Sequence, residues 1–504
     1  MSLQERSLFV GGYAGRHYVV FDVLRQLELL RVDGGSWKRP HSAGLGLALA
    51  AAAGAPRSTF LCAAPCEASG GTVLLRASCA PAPSPLPFVH FGYRSLGKVA
   101  YAVTLMHIGG ELCAAVGGEE GCVKLLRIDS SQQPLSSISQ QPLFEASMPG
   151  NVCIRSICAC SGEGHTLLLA AGGRLTFALW AAYHSGAGGN AAAAVNSQLV
   201  SVGQGTTWTK ATQDHRFLSA ALLTADSGAY LVVLCDSRGV VTLASKTVGA
   251  AHSPPSELLV LEEFAANATA SPVLCSAVTR LAGGAFVGYF GDTTGGVSVW
   301  QLRSGTRPSQ LLLNISAHCL GCNCISIQVE EEGEGDCHFI SASGGDDQSI
   351  CIVGGSLHIS EDGSVSAAVG VAQRVEGCSG SAVNGITMVG SRPELLLLSA
   401  GYDRRLAVWG LAEVQRRVRR GGALLPSGTR GGSRSAVILE PEVVALRGEG
   451  PLLRYLTGCV TDLGDVGALD ALPRPEGAHV VVAGEGIQML SLVLKHETGG
   501  LDGD

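Results

Sequence analysis

The residues best suited to metal chemistry in this chain lie in the segment AHCLGCNC, which contains His318, Cys319, Cys322 and Cys324. Imidazole and thiolate groups are the ligands that zinc prefers, but tetrahedral zinc needs four of them to converge. On a regular strand the sulfurs of Cys322 and Cys324 would share one face, and no second CxxC pair accompanies them. An enzyme with a metal site here therefore stays an alternative, which a stoichiometric metal in the purified protein would favour.

Other catalytic motifs are absent from the sequence. We find no Gly-rich loop between a strand and a helix, no P-loop, no HExxH and no GxSxG. The sequence therefore predicts no catalysis by this chain alone, and we expect it to need no cofactor and no metal.

A cluster of arginines is the second feature that could do chemistry. Residues 404–454 contain ten arginines against four acidic residues. Guanidinium groups suit phosphate oxygens, which makes Arg416, Arg417, Arg419 and Arg420 candidates for contact with nucleic acid or a partner. The alternative is a solvated loop. The net charge of −7 argues against a protein that coats nucleic acid over its whole surface.

The arginines follow a stretch, Leu395–Trp409, that reads as two short strands joined by a turn. Four leucines lead into small residues, then a turn at Asp403, then alternation that ends at Trp409. The Asp403 carboxylate can accept N–H bonds of the turn. Because a hairpin of this size cannot bury its own face, it needs repetition.

The same pattern recurs along the chain. In Phe339–Val353, Asp347 stands six residues before Val353, as Asp403 stands six before Trp409. Adjacent copies are spaced by roughly fifty to sixty residues, longer than the roughly 40–45 of a minimal WD-repeat blade. The pattern resembles the WD-repeat β-propeller. Further copies lie at Ala285–Trp300, Tyr230–Leu243, Leu167–Trp180 and Leu112–Leu126, with weaker ones at Leu8–Phe21, Phe60–Leu75 and His479–Leu490.

The sequence thus predicts an all-β fold, a WD40-repeat β-propeller with one seven-bladed ring and one or two blades of a preceding partial propeller. We expect residues 1–80 to form the terminal blades of that partial propeller, 81–87 a Pro-rich linker, 88–495 the seven-bladed ring and 496–504 a flexible tail. The innermost strands are expected near Val99, Val152, Phe217, Val273, Cys324, Val383 and Val466.

The repeat also explains several polar and aromatic residues without catalysis. His318 occupies the position, before an innermost strand, at which WD-repeat blades often keep a His that bonds the turn Asp. We therefore interpret His318 and Asp347 as a structural pair, in preference to zinc. Asp403, Trp409 and Trp300 sit inside repeats and receive structural roles for the same reason.

Composition indicates where such a protein works. Apolar residues are 46% and charged residues 15%, with 68 glycines, which suits short buried strands and Gly-rich turns and not a disordered chain. Gly44–Ala55 is too short to span a membrane, and the first residues lack the features of a signal peptide. Seventeen cysteines scattered through strands are typical of a reducing compartment. We expect a cytoplasmic or nuclear protein, cytoplasm being preferred, with no membrane partner.

Five segments narrow the resemblance further. They are GGSWKRPHS (Gly34–Ser42), GGDDQSICI (Gly344–Ile352), SAVNGI (Ser381–Ile386), SAGYDRRLAVW (Ser399–Trp409) and VVVAGEGIQML (Val480–Leu490). In this order they resemble the carboxy-terminal part of the WD repeat-containing protein 6 family. The resemblance implies a non-catalytic regulatory subunit that pairs with an FtsJ-like RNA 2′-O-methyltransferase for 2′-O-methylation of the ribose at wobble position 34 of certain tRNAs.

That resemblance implies two partners, the methyltransferase and tRNA. The contact residues we expect are Trp37, Lys38 and Arg39, an aromatic residue beside a basic pair, and the four arginines from Arg416 to Arg420. A surface loop packing one aromatic residue is the alternative for the first group. The alternative function is a general WD40 scaffold for protein–protein interaction in another complex, in trafficking or ubiquitin transfer, with no RNA role.

Overall fold

The structure is a computed structural model. It describes residues 98–128, 142–162, 164–183, 200–206, 215–225, 228–248, 257–303, 307–332, 335–390, 395–420, 438–445, 452–461, 463–474 and 477–493, together with the backbone of seven earlier strands. Those strands are β1 (Phe9–Ala14), β2 (His17–Asp22), β3 (Leu27–Asp33), β4 (Ser42–Ala48), β5 (Arg57–Pro65), β6 (Thr72–Cys79) and β7 (Phe88–Ser95). β1 to β3 form one three-stranded sheet and β4 to β6 another.

Seven sheets follow, which we number as blades 1 to 7 in chain order. Blade 1 comprises β8 (Ala100–Ile108), β9 (Glu111–Gly118), β10 (Cys122–Arg127) and β11 (Phe144–Ser147). After a 3-10 turn, Pro149–Asn151, blade 2 comprises β12 (Ile154–Gly162), β13 (His165–Gly172), β14 (Thr176–Tyr183) and β15 (Val200–Thr206). Blade 3 comprises β16 (Phe217–Thr224), β17 (Ala229–Asp236), β18 (Val240–Thr247) and β19 (Leu259–Ala265).

Blade 4 comprises β20 (Val273–Arg280), β21 (Phe286–Asp292), β22 (Gly296–Leu302) and β23 (Gln310–Ser316). Blade 5 comprises β24 (Cys322–Glu331), β25 (Asp336–Gly345), β26 (Ile350–Ile359) and β27 (Val365–Glu376). Blade 6 begins with β28 (Val383–Val389), β29 (Leu396–Gly401) and β30 (Arg405–Gly410). The chain then forms helix α1 (Ala412–Arg419), β31 (Ile438–Leu439) and β32 (Glu442–Ala445) before β33 (Arg454–Val460) completes blade 6. Blade 7 comprises β34 (Ala468–Arg474), β35 (Gly477–Ala483) and β36 (Gly486–Val493).

The ring is closed by a strand from the other end of the chain. β7 pairs with β36 in an antiparallel register that sets Phe88 opposite Leu492, so blade 7 takes its outermost strand from the segment that leads into blade 1. Ala100 also donates its N–H to the carbonyl of Gly484 at 2.7 Å. β7 gives blade 7 the four strands that blades 1, 2, 3 and 6 have, and it closes the ring.

Burial of apolar side chains between neighbouring blades holds the ring together. Within the described residues there are seven hydrophobic clusters, and each lies at one interface between consecutive blades, including the interface of blade 7 with blade 1. The innermost strands begin at or within two residues of the predicted positions. The seven-bladed all-β propeller predicted from the sequence is therefore confirmed.

The two ends of the ring differ in what they present. We call "upper" the end at which each innermost strand begins and the second strand turns into the third, and "lower" the opposite end. In blades 1 to 6 a register shift interrupts the innermost strand near the upper end. Such a β-bulge adds one residue and reverses the alternation of side chains. The extra residues are Tyr101, Arg155, Leu218, Leu274, Asn323 and Asn384.

The segment between β30 and β33 forms an outer belt that the sequence analysis missed. β31 pairs in parallel with β23 of blade 4, and β32 pairs in parallel with β27 of blade 5, so both blades have five strands. Gln373 of β27 binds the belt at two points, donating to Glu442 at 3.3 Å and accepting the N–H of Leu452 at 2.7 Å. Part of the connection between the third and fourth strands of blade 6 thus pairs with the outer strands of blades 4 and 5.

A carboxylate is held at the seam between blades 7 and 1. Asp470 Oδ2 accepts the N–H of Leu105 at 2.7 Å and the hydroxyl of Thr104 at 3.1 Å, both from blade 1. Burial at this seam raises the pKa of Asp470 to about 6, against hydrogen bonds that lower it. The folded state therefore binds this proton more tightly than the unfolded chain does, so the stability that Asp470 contributes falls as the pH rises from 3.8 through 6 and is lost above it.

Asp470→Asn removes this titration. We expect the unfolding free energy of the wild type, minus that of the variant, to fall by about 1 to 3 kcal/mol between about pH 4.5 and pH 7.5. Urea denaturation of both proteins at the two pH values measures this difference. A difference that stays constant or rises with pH would contradict the assignment of the raised pKa to the seam.

Candidate functional site

His318 and Asp347 are brought together at the upper end of blade 5. Asp347 lies in the turn between β25 and β26, and its Oδ1 is 3.0 Å from His318 Nδ1. The other ring nitrogen, Nε2, is 2.9 Å from the hydroxyl of Ser343 on β25. Asp347 also accepts the N–H and hydroxyl of Ser349 and the N–H of Cys319. The His318 imidazole thus links the connection before β24 to Ser343 on β25 and to Asp347 in the turn before β26.

The electrostatics of this pair favour charge on both partners. Burial by itself lowers the pKa of His318, but hydrogen bonds with Asp347 and the Cys322 thiol outweigh burial and raise it to about 9. Burial works against the ionised form of Asp347 too, and its bonds to His318 and Ser349 hold its pKa well below the ordinary value. An imidazolium and a carboxylate that are both saturated by neighbours are suited to holding strands, with no room for a reacting group between them.

The two cysteines of the predicted metal segment point to opposite sides of blade 5. Cys322 packs in the cluster shared with blade 4, with its Sγ 3.7 Å from Cys275 Sγ, whereas Cys324 packs in the cluster shared with blade 6. The expectation that their sulfurs share one face is therefore wrong, because the bulge at Asn323 reverses the alternation. Among the described residues no group of three or more His, Cys, Asp or Glu side chains is arranged to hold a metal ion.

The other repeat residues also have local partners. Asp403 Oδ2 accepts the hydroxyl of Ser379 at 3.1 Å and the N–H of Gly380 at 2.8 Å, where blade 5 uses a histidine. Trp409 is buried and donates its indole N–H to Ser399 at 2.9 Å. Trp300 donates to the carbonyl of Ala266 at 3.1 Å, on the connection that leads into blade 4. Asp403 thus holds its turn to the connection that leads into blade 6. Trp409 joins the third strand of blade 6 to the second, and Trp300 joins the third strand of blade 4 to the connection before that blade.

The four candidate contact arginines lie on a helix and its cap, and not in a loop, which was the alternative for this segment. α1 carries Arg416, Arg417 and Arg419, and Arg420 is its C-terminal cap. Val414 and Val418 are buried against blade 5, and a Cβ at Gly354 would come within 2.6 Å of Val418. Because Gly354 on β26 has no side chain, the helix can approach the blade closely at this point.

The charges on α1 are only partly neutralised. Glu413 contacts Arg416 Nη1 at 2.5 Å and Arg417 Nε at 3.0 Å, while the side chains of these two arginines remain 62% and 47% exposed. Arg419 and Arg420 are exposed too. Acid in the first turn and base in the last also stabilise the helix dipole. Four guanidinium groups on one anchored helix can contact successive phosphates without reading bases.

The remaining predicted contact residues, Trp37, Lys38 and Arg39, lie outside the residues that the structure describes.

Sequence reasoning also missed the residues at the mouth of the central channel. Asn323 Nδ2 lies 3.3 Å from Asn384 Oδ1 in the next blade, and the Arg155 guanidinium lies 4.4 Å from the centre of the Tyr101 ring in the preceding blade. These contacts link the bulged residues of neighbouring innermost strands. The sequence signal for these residues is their position, the second residue of each innermost strand. It can be recognised only after the repeats are aligned at their bulges.

Comparison with known proteins finds a solved structure of low similarity. No family model matches this chain, and no curated protein does either. Among solved structures, one described as the crystal structure of BBS1N in complex with ARL6DN, soaked with mercury, is similar over 83% of this chain and 99% of that chain, with 10% sequence identity and a TM-score of 0.45. A likeness at this level says nothing about what this chain binds. In the part of the chain that the structure describes, no helix is long and apolar enough to cross a membrane.

Proposed function

We propose that this chain is a non-catalytic scaffold subunit that pairs with an FtsJ-like RNA 2′-O-methyltransferase and directs it to the ribose at wobble position 34 of tRNA. The ordered motifs that resemble the WD repeat-containing protein 6 family suggest the partner. The observation that supports RNA contact is the row of exposed arginines on α1, a helix anchored by buried valines to a closed ring.

The physical argument for a scaffold is orientation. Ribose methylation requires a methyl-donor site and a group that takes the proton of the 2′-hydroxyl, and in this proposal both lie in the methyltransferase. The ring contributes rigid surfaces that hold the enzyme and the RNA in one fixed relation. Fixing two reactants in this way removes much of the orientational entropy cost of reaching a single nucleotide.

Two exposed apolar side chains favour a second candidate, a scaffold for protein partners alone. Leu320 and Tyr402 are more than half exposed, and both lie in upper-end connections, before β24 and between β29 and β30. A contiguous apolar patch is typical of a protein contact site, and these two side chains lie on neighbouring blades at the same end of the ring. This candidate predicts protein partners and no salt-dependent binding of RNA.

Loss of the gene separates the two candidates. In cells that lack this chain, mass spectrometry of purified tRNA should find no 2′-O-methyl group at position 34 while unrelated ribose methylations persist. Expression of the full chain should restore the mark, and affinity purification should recover an FtsJ-like enzyme with it. Retention of the mark in the deleted cells would count decisively against the tRNA function and leave the protein scaffold.

Removal of one acidic residue on α1 tests RNA contact by an expected gain in tRNA affinity, whereas removal of the arginines is expected to lower it. Glu413→Gln removes the carboxylate that neutralises Arg416 and Arg417, so we expect tRNA affinity at low salt to rise by about threefold. Filter binding or fluorescence anisotropy over a range of salt concentrations measures it. Glu376→Gln, which removes an exposed carboxylate beside Arg374 at the upper end of blade 5, is the control, and equal gains in both variants would show a global charge effect only.

A further inference from the structure

A cavity of about 320 Å³ opens at the upper end of the ring, between blades 2 and 3. It is remote in the fold from α1, which lies at the lower end of blades 5 and 6, and neither the repeat pattern nor the proposed function uses it. The residues that shape its polar lining are Gly150, Asn151, Arg155, Arg174, His215 and Arg216.

Three arginines reach this cavity from three separate elements. Arg155 comes from β12, Arg174 from the turn between β13 and β14, and Arg216 from the connection before β16. None of the three forms an ion pair with a carboxylate within the described ranges. The nearby carboxylate of Glu119 is engaged at 2.9 Å by the hydroxyl of Tyr101, the ring over which Arg155 lies. The cavity is therefore strongly cationic.

A buried donor or acceptor in the same lining also lacks a partner. His215 Nδ1 is shielded from solvent and makes no hydrogen bond in the described part of the chain. Buried nitrogen atoms in folded proteins are almost always hydrogen-bonded, and an exception calls for a ligand or a water. This nitrogen is shielded from the open cavity as well, so the three guanidinium groups, and not His215 Nδ1, are the groups that a ligand there would meet.

The backbone that carries these groups is fixed in an uncommon conformation. Asn151 and Arg174 have φ values of 50° and 54°, in the left-handed region that most side chains avoid. Two hydrogen bonds to Ser237 fix the backbone of Arg216. Its N–H donates to the Ser237 hydroxyl at 3.3 Å, and its carbonyl accepts the Ser237 N–H at 3.0 Å. Left-handed residues also occur in the same turn of blades 5 and 6, at Gln348 and Arg404, so this conformation belongs to the turn and fixes the backbone that carries Arg174.

We propose that this cavity binds a phosphate group, in the form of a phosphate monoester dianion. Two or three guanidinium groups match the charge of such a group, and each planar guanidinium can donate to two of its oxygens. The mouth beside the Tyr101 and Arg155 pair leaves room for the organic part of the ester. A free nucleotide and the 5′-phosphate end of an RNA share this chemistry.

Calorimetric titration of the full chain tests the site with four probes: inorganic phosphate, AMP, and one short RNA with and without a 5′-phosphate. We expect saturable binding of phosphate and AMP that becomes about tenfold weaker or more in Arg155→Gln and in Arg216→Gln. Arg238→Gln is the matched control, since Arg238 occupies the turn of blade 3 that corresponds to the turn of Arg174 and is 54% exposed. Its affinity should equal that of the wild type.

The RNA pair distinguishes the two sources of phosphate. If the 5′-phosphorylated RNA binds more tightly than AMP, and this binding is lost with the 5′-hydroxyl RNA, the ligand of the cavity is the 5′-phosphate end of an RNA. AMP binding at least as tight as that of the phosphorylated RNA indicates a free nucleotide. The proposal is overturned if no probe carrying a monoester or inorganic phosphate binds saturably, or if Arg238→Gln weakens binding as much as the other two variants.

Cysteine labelling tests the same site in the unaltered protein. Cys153 is half-buried and lines the cavity, whereas Cys319 is exposed at the upper end of blade 5. Phosphate in the cavity should slow alkylation of Cys153 by N-ethylmaleimide several-fold and leave Cys319 unchanged, as read by peptide mass spectrometry. Equal rates at Cys153 with and without saturating phosphate would overturn the proposal. Failure of this site leaves the proposed tRNA function untouched, because that function rests on α1.

Discussion

Replacement of His318 by alanine should destabilise the protein more than any other single change that we consider. The imidazole is almost fully buried and makes contacts with Asp347, Ser349 and Ser343 at 2.9 to 3.0 Å. Its loss leaves the Asp347 carboxylate, which is only 11% exposed, without its cationic partner. Breaking a buried pair from one side costs about 3 to 5 kcal/mol. We expect a loss of that size in the free energy of unfolding.

Blade 5 offers a matched control for this substitution. His358 and Asp336 form a second histidine–aspartate pair at 2.7 Å, but their side chains are 57% and 63% exposed. Exposed pairs contribute about 0 to 1 kcal/mol. His358→Ala should therefore change urea denaturation little. Similar losses in both variants would show that burial of the His318 pair is not what stabilises blade 5.

The pH dependence of the His318→Ala effect has a defined sign. The pKa of His318 is raised in the folded state to about 9, so its contribution is fully present below its ordinary pKa of 6.5 and is lost as the pH rises through 9. The pKa of Asp347 is depressed, so its contribution is present above 3.8 and is lost only in acid. The difference between wild type and variant should shrink from about pH 6.5 to pH 9. A difference that grows over this range would contradict the charged pair.

Removal of the four arginines of α1 should have the largest effect on RNA binding. With Arg416, Arg417, Arg419 and Arg420 all changed to Gln, we expect tRNA affinity at about 0.1 M salt to fall by roughly 30- to 300-fold and the logarithmic salt slope to fall by about 2 to 4. The reason is that each phosphate contact releases counterions, and four contacts are lost together. Fluorescence anisotropy with labelled tRNA measures both quantities.

A second set of four arginines controls for overall charge. Arg127, Arg238, Arg280 and Arg307 are exposed on other blades, and their replacement by Gln changes the net charge by the same amount. We expect this variant to bind tRNA within about threefold of the wild type. If both quadruple variants lose affinity equally, the arginines of α1 serve only the helix dipole and the surface. Thermal unfolding of each variant should resemble that of the wild type, because the buried valines that anchor α1 are unchanged.

The repeat structure of this protein was determined by its sequence alone. Each copy carries an apolar run, small residues, a turn and an alternating strand, and these are local patterns, so their number and order predict a seven-bladed ring. The turn residues are local in the same sense. Asp347 and Asp403 each accept the N–H of the residue two positions later, Ser349 and Arg405, and those bonds depend on sequence separation and not on the ring.

The tertiary structure decided where side chains on different blades point and which distant segments meet. A one-residue bulge sends Cys322 and Cys324 to opposite sides of a blade, and no apolar alternation reveals a bulge in advance. Helix α1 depends on two valines packed on a distant glycine, because so short a helix is not stable by itself. The cationic cavity draws Arg155, Arg174 and Arg216 from a strand, a turn and a connection that are separate in sequence. Contacts of this kind arise from closure of the ring, which pairs residue 88 with residue 492, and closure depends on the packing of all seven interfaces at once.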